Sequence, residues 1–98
     1  MRINNCQLAR WQNLDAAVVL AAVADHAKRD NSYLPRKNCA SSRWHVTAGG
    51  HDYELLVTGP KYWDTRARRG GGGAVDLVMH LLSVDFKKAA RQLEEMRL

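Results

Sequence analysis

The feature that most constrains the fold is a change of hydrophobic period partway along the chain. From Arg43 to Thr47 apolar side chains alternate with polar ones, and from Ala74 onward they recur at three and four residues. Alternation presents one face of a strand to a core, whereas the longer period presents one stripe of a helix. The chain is therefore expected to be α+β, with a β unit in its middle and helices on either side.

The elements follow from local signals. Asp15 is placed to cap a helix over about 15–29, whose Val19, Leu20, Val23 and Ala27 share one stripe. Asp30-Asn31-Ser32 and Leu34-Pro35 end it, leaving a loop over 30–42. A strand from Arg43 sets Trp44 and Val46 on one face and Arg43, His45 and Thr47 on the other, up to the Gly49-Gly50 turn. Tyr53 to Thr58 makes a second strand, and Gly59-Pro60 turns it into a third at Lys61 to Asp64. A helix starts near Gly73 or Ala74, breaks at Ser83-Val84, and is followed by one capped by Asp85. The expected order is αβββαα: a small three-stranded antiparallel meander with an N-terminal helix and two C-terminal helices. Residues 1–12 read as an arm, and residues 13–98 as a single domain.

At 98 residues there is room for one hydrophobic core and no second domain. The longest uncharged apolar run, Ala16 to Ala24, is too short to cross a bilayer. It could pass for the apolar part of a signal peptide, but Asp15 interrupts its approach and a helical pattern continues through Asp25 to Arg29, which favours a cytoplasmic helix. Cys6 and Cys39 are too few for a disulfide framework or a four-cysteine zinc site. The net charge is +5, and lysine supplies only Lys28, Lys37, Lys61, Lys87 and Lys88 of the fifteen cations, the rest being arginine. An arginine-rich basic chain points toward phosphate.

The most informative run is Arg66-Ala67-Arg68-Arg69-Gly70-Gly71-Gly72-Gly73. Three arginines lead into four glycines at the expected start of a helix, where free N–H groups and the helix dipole attract an anion. No Gly-Lys-Ser/Thr follows, so this is no Walker loop, and Asp76 stands at the third glycine position of a dinucleotide fingerprint. The competing reading is a solvated turn in which glycine lets strand and helix approach closely. Beside the run, Lys61-Tyr62-Trp63 offers an aromatic next to a cation, as single-stranded nucleic-acid platforms do. Alternation sends one of Tyr62 and Trp63 into the core; Trp44 is assigned to the core as well. His26, His45, His51 and His80 show no metal-ligand spacing, and Asp76 suits the positive end of a helix dipole. No nucleophile–base set and no carboxylate cluster for two metals is visible, so the chain is not expected to be an enzyme, and no cofactor is expected.

The stretch from Trp63 to Leu93 resembles the second half of the zinc-binding domain of bacterial-type DNA primases. Gly72-Gly73-Ala74-Val75-Asp76-Leu77-Val78 and Asp85-Phe86-Lys87-Lys88-Ala89-Ala90 carry the likeness, with weaker support from the helix at 15–29 and Trp44-His45-Val46. The resemblance implies that fold in a zinc-less version, as in primase-like proteins of mobile elements joined to Toprim domains. The positions of the family's second cysteine pair fall on Thr65 and Arg68, and only Cys39 stands near the first pair. Packing of Trp44, Tyr53, Leu55, Val57 and Trp63 against the helices is then expected to replace the metal, and Phe86 to be buried as the start of the last helix's stripe.

The expectation is a non-catalytic module that binds single-stranded DNA in primase or mobile-element replication. It would position template for a Toprim or polymerase domain, with a replicative helicase as another partner. Arg66, Arg68, Arg69 and the amides of Gly70, Gly71, Gly72 and Gly73 would hold phosphates, and Lys61 with Tyr62 or Trp63 would extend the track. The alternative is a protein-interaction module, an inhibitor or adaptor that keeps the fold and has changed its partner.

Overall fold

A computed structural model describes residues 4–34 and 41–98. Two short helices, α1 (Asn5–Asn13) and α2 (Ala16–Val23), precede five strands: β1 (His26–Arg29), β2 (Ser41–Ala48), β3 (His51–Thr58), β4 (Lys61–Asp64) and β5 (Arg69–Gly72). Helices α3 (Ala74–Leu82) and α4 (Phe86–Glu95) follow. The strands form one antiparallel sheet in the order β1-β2-β3-β4-β5, each paired with its neighbour in sequence. The class is α+β, but the three-stranded meander with one N-terminal helix is corrected, among the described residues, to a five-stranded sheet with four helices.

Each added element has a physical reason. Residues 26–29 leave the helix that the apolar spacing proposed, because Ala27 serves a strand as well as a helix. There it lies opposite Val46, with His26 and Lys28 opposite Thr47 and His45. The N–H of Asp25 donates to Thr47 O at 2.8 Å and that of Asp30 to Arg43 O at 2.8 Å, fixing both ends of the pairing. At the other edge, β5 is built almost wholly of glycine, a poor strand former in isolation. Its pairing with β4 is close enough to need glycine at two positions: a Cβ on Gly70 would meet Trp63 Cε3 at 2.7 Å and Tyr62 O at 2.8 Å, and one on Gly71 would overlap Asp76 Oδ2.

The residues read as an arm include α1. Asn4 Oδ1 accepts the Gln7 N–H at 2.8 Å and Gln7 Oε1 accepts the Asn4 N–H at 3.1 Å, a reciprocal box that starts the helix. Trp11, on its inner side, is fully buried, and the backbone of Gln12 passes over Gly73 at the start of α3.

Helices cover one face of the sheet. On that face Val46, Ala48, Leu55, Val57 and Tyr62 are buried together with Val19 and Leu20 of α2, Leu77, Val78 and Leu81 of α3, and Leu93 of α4. Trp44 and Tyr53 are partly buried against the same core. Two expected core members are not in it: Trp63 is 45% exposed and Phe86 is 43% exposed. Trp63 is on the opposite side of β4 from Tyr62, and Phe86 begins α4 outside the buried stripe of Ala89, Ala90 and Leu93.

Candidate functional site

The three arginines sit on and beside the turn joining β4 to β5, and Asp64 organises that turn. Asp64 ends β4 on the helix side, only 3% exposed. Its Oδ1 accepts the N–H groups of Arg66 and Ala67, each at 3.0 Å, and its Oδ2 lies 2.7 Å from His80 Nε2 of α3. Burial pushes the Asp64 carboxyl up, but hydrogen bonds from Ala67, His80 and Arg66 outweigh it and hold the group below its ordinary 3.8. Because the carboxylate is ionised, Nε2 carries the proton of that bond. Arg68 takes a left-handed conformation, φ 54°, within the turn.

Around this pair a cleft of about 600 Å³ opens between the turn, α3, the start of β3 and the break after α3. Arg66 and Arg69 line it, with His51, Asp52, Tyr53, Asp76 and His80. Tyr53 donates to Leu81 O at 2.9 Å, and its ring and that of Tyr62 stand 5.6 and 5.5 Å from the His80 ring. Burial, then the Asp76 carboxylate and its hydrogen bond, push the Tyr62 hydroxyl up to about 12.

The glycine amides do not form the phosphate cradle expected of them. Gly70 to Gly72 are strand residues, and the helix begins only after Gly73. Gly73 N–H donates to Pro60 O at 3.0 Å and Gly72 N–H to Asp76 Oδ2 at 3.2 Å. Antiparallel alternation then commits Gly71 to Tyr62 and leaves Gly70 facing outward. A carboxylate already occupies the start of α3, so the anion site at that helix end is filled by the chain's own Asp76.

The other expected site residues divide between two faces. Tyr62 is buried, whereas Trp63 and Lys61 stand on the side of the sheet that no described helix covers. There Arg43, Leu56, Trp63 and Gly70 fall in one row across four strands, and Lys28, His45 and Lys61 flank it. The sequence reading missed this row; the register Arg43↔Leu56↔Trp63 depends on turn positions, and alternation alone does not give it. Arg43 is tied to Glu54. Arg66 and Arg69 form no ion pair among the described residues, although three aspartates line the same cleft.

No group of three or more His, Cys, Asp or Glu among the described residues could hold a metal ion. Cys39 lies outside the described residues. No described helix is long and apolar enough to cross a membrane.

No family model matches the chain, and neither does any solved structure. A "65 kDa protein" of Zymomonas mobilis is 38% identical over 45 residues, which is 46% of this chain and 8% of that protein. The similarity covers a small part of a much longer polypeptide.

Proposed function

We propose that this chain is a non-catalytic module that binds single-stranded nucleic acid in the cytoplasm, as part of a replication system of the primase or mobile-element kind. The observation that carries this reading is Trp63: a tryptophan 45% exposed on an uncovered sheet face, beside Lys61 and in register with Leu56 and Arg43. Bases stack on such a ring without sequence preference, and cations around it hold the phosphates between them. The glycines of β5 leave the sheet edge free of side chains between this face and the arginine turn. Arg66, Arg68 and Arg69 supply charge there, and Asp64 fixes the backbone that carries them.

The glycine amides have no part in this reading. The primase setting, with a Toprim or polymerase domain or a helicase as partner, rests on the likeness of residues 63–93 alone.

Binding of a fluorescent single strand across a salt series tests the proposal. Removing one arginine–phosphate pairing should flatten the slope of log affinity against log salt by about 0.7, so Arg66→Ala/Arg68→Ala/Arg69→Ala should lower it by up to about 2. Trp63→Ala should weaken binding by about 1–3 kcal/mol with the slope unchanged. A wild-type chain that is folded and shows no salt-sensitive binding at micromolar concentration overturns the reading, and leaves the protein-interaction module in its place.

A further inference from the structure

We propose that the cleft above Asp64 and His80 is a binding site for one nucleoside phosphate, distinct from the stacking row on the open face. Arg66 and Arg69 border it as exposed guanidinium groups without an ion-pair partner among the described residues. Two such forks facing one space are matched by a phosphate, which accepts from both.

A bare anion does not account for the rest of the cleft. Asp52 and Asp76 also line it, and carboxylates repel a ligand that carries charge alone. They do accept from base amines and sugar hydroxyls. His80, its Nε2 engaged by the Asp64 carboxylate 2.7 Å away, brings its ring to the wall of the same cleft. Tyr53, beside the His80 ring, adds an aromatic surface. Cations at one side, acceptors at the other and an aromatic wall suit a molecule with a phosphate, donor groups and a flat ring. The volume of about 600 Å³ lies within the range of small-ligand sites.

The inference deepens the single-strand reading, since a strand's terminal nucleotide has the same chemistry as a free nucleotide. Titration of AMP, GMP and inorganic phosphate into the whole chain, followed by the ring signals of His80 and Tyr53, tests it. Either mononucleotide should shift both rings and saturate. Arg66→Ala/Arg69→Ala should weaken that binding at least about tenfold, the size of one charge-assisted hydrogen bond, while Lys87→Ala, which removes a charge from α4, should not. A 5′-phosphorylated single strand that displaces AMP better than its unphosphorylated twin identifies the strand end as the source; equal displacement identifies the free nucleotide. If phosphate shifts the rings as well as AMP does, or if neither mononucleotide binds at millimolar concentration, the proposal is wrong. Should the oligonucleotide still bind in that case, the stacking row survives without the cleft. Should mononucleotides bind and longer strands bind no tighter, the cleft survives and the track fails.

Discussion

At the scale of single residues, two buried acids set how the structure responds to pH. Asp64 keeps a lower folded pKa than its unfolded 3.8, so it stabilises the fold above that value and the contribution is lost as pH falls through the folded pKa. Asp64→Ala strands the His80 Nε2 and two backbone N–H groups and should cost about 1–3 kcal/mol by thermal or urea melting. Tyr62 works in the opposite direction: raised to about 12, it stabilises the fold fully below pH 10 and loses that contribution as pH rises toward 12. Absorbance titration should show one tyrosine ionising near 12 in the wild type, and not in Tyr62→Phe. Gly71 is as constrained as either acid, because a Cβ there would overlap Asp76 Oδ2. Gly71→Ala should destabilise by about 1–3 kcal/mol through forced displacement.

At the scale of elements, α1 is an integral part of the core. Trp11→Ala should cost about 3–5 kcal/mol, the cost of deleting a fully buried large aromatic, and circular dichroism melting would measure it. Little change in the melt would mean that α1 only rests on the domain. Phe86 makes the contrast: with 43% of it exposed, Phe86→Ala should cost about 1–2 kcal/mol, less than the value for a buried ring. The sequence showed the elements whose period is long and strong. β4 stands at Lys61–Asp64 and α3 at Ala74–Leu82, where the Gly59-Pro60 turn and the three-and-four stripe placed them, and Asp85 caps α4 through the Lys88 N–H at 2.9 Å. Elements whose stability comes from partners were not legible. Four residues at 26–29 fit either period until β2 lies beside them, and Arg69–Gly72 has no side chain to report its pairing. The capping box of Asn4 and Gln7 is a local signal that the reading of residues 1–12 as an arm did not use. At the site, the arginine turn was visible as a run, while Asp64 and His80, sixteen residues apart, met only through the packing of α3 on the sheet.

At the scale of the whole molecule, the layering determines which nucleic acid can fit. Among the described helices α2 and α3 lie against one face of the sheet and α1 and α4 pack on α3, and the longest of them, α4, has 10 residues with Ala89, Ala90 and Leu93 buried. No described helix stands free to enter a major groove, the usual route to base edges in a duplex. What remains open is a sheet face with one exposed tryptophan, an apolar neighbour, and cations of which Arg43 is tied to Glu54 on the same face, within a molecule 41 Å in its longest dimension. A duplex hides the flat surfaces of its bases in the stack, so this face gains only phosphate contacts from it. A single strand gives both. Affinity for a single strand should therefore exceed that for a duplex of the same sequence by about the 1–3 kcal/mol of one stacked base, and the preference should vanish in Trp63→Ala. Tryptophan fluorescence separates the contribution, since Trp11 is buried, Trp44 is partly buried and Trp63 is exposed. A single strand should quench the Trp63 signal, and a duplex should leave it nearly unchanged. Equal quenching by both, or tighter binding of the duplex, would show that the open face is not a stacking platform and that the arginine turn alone makes the contact.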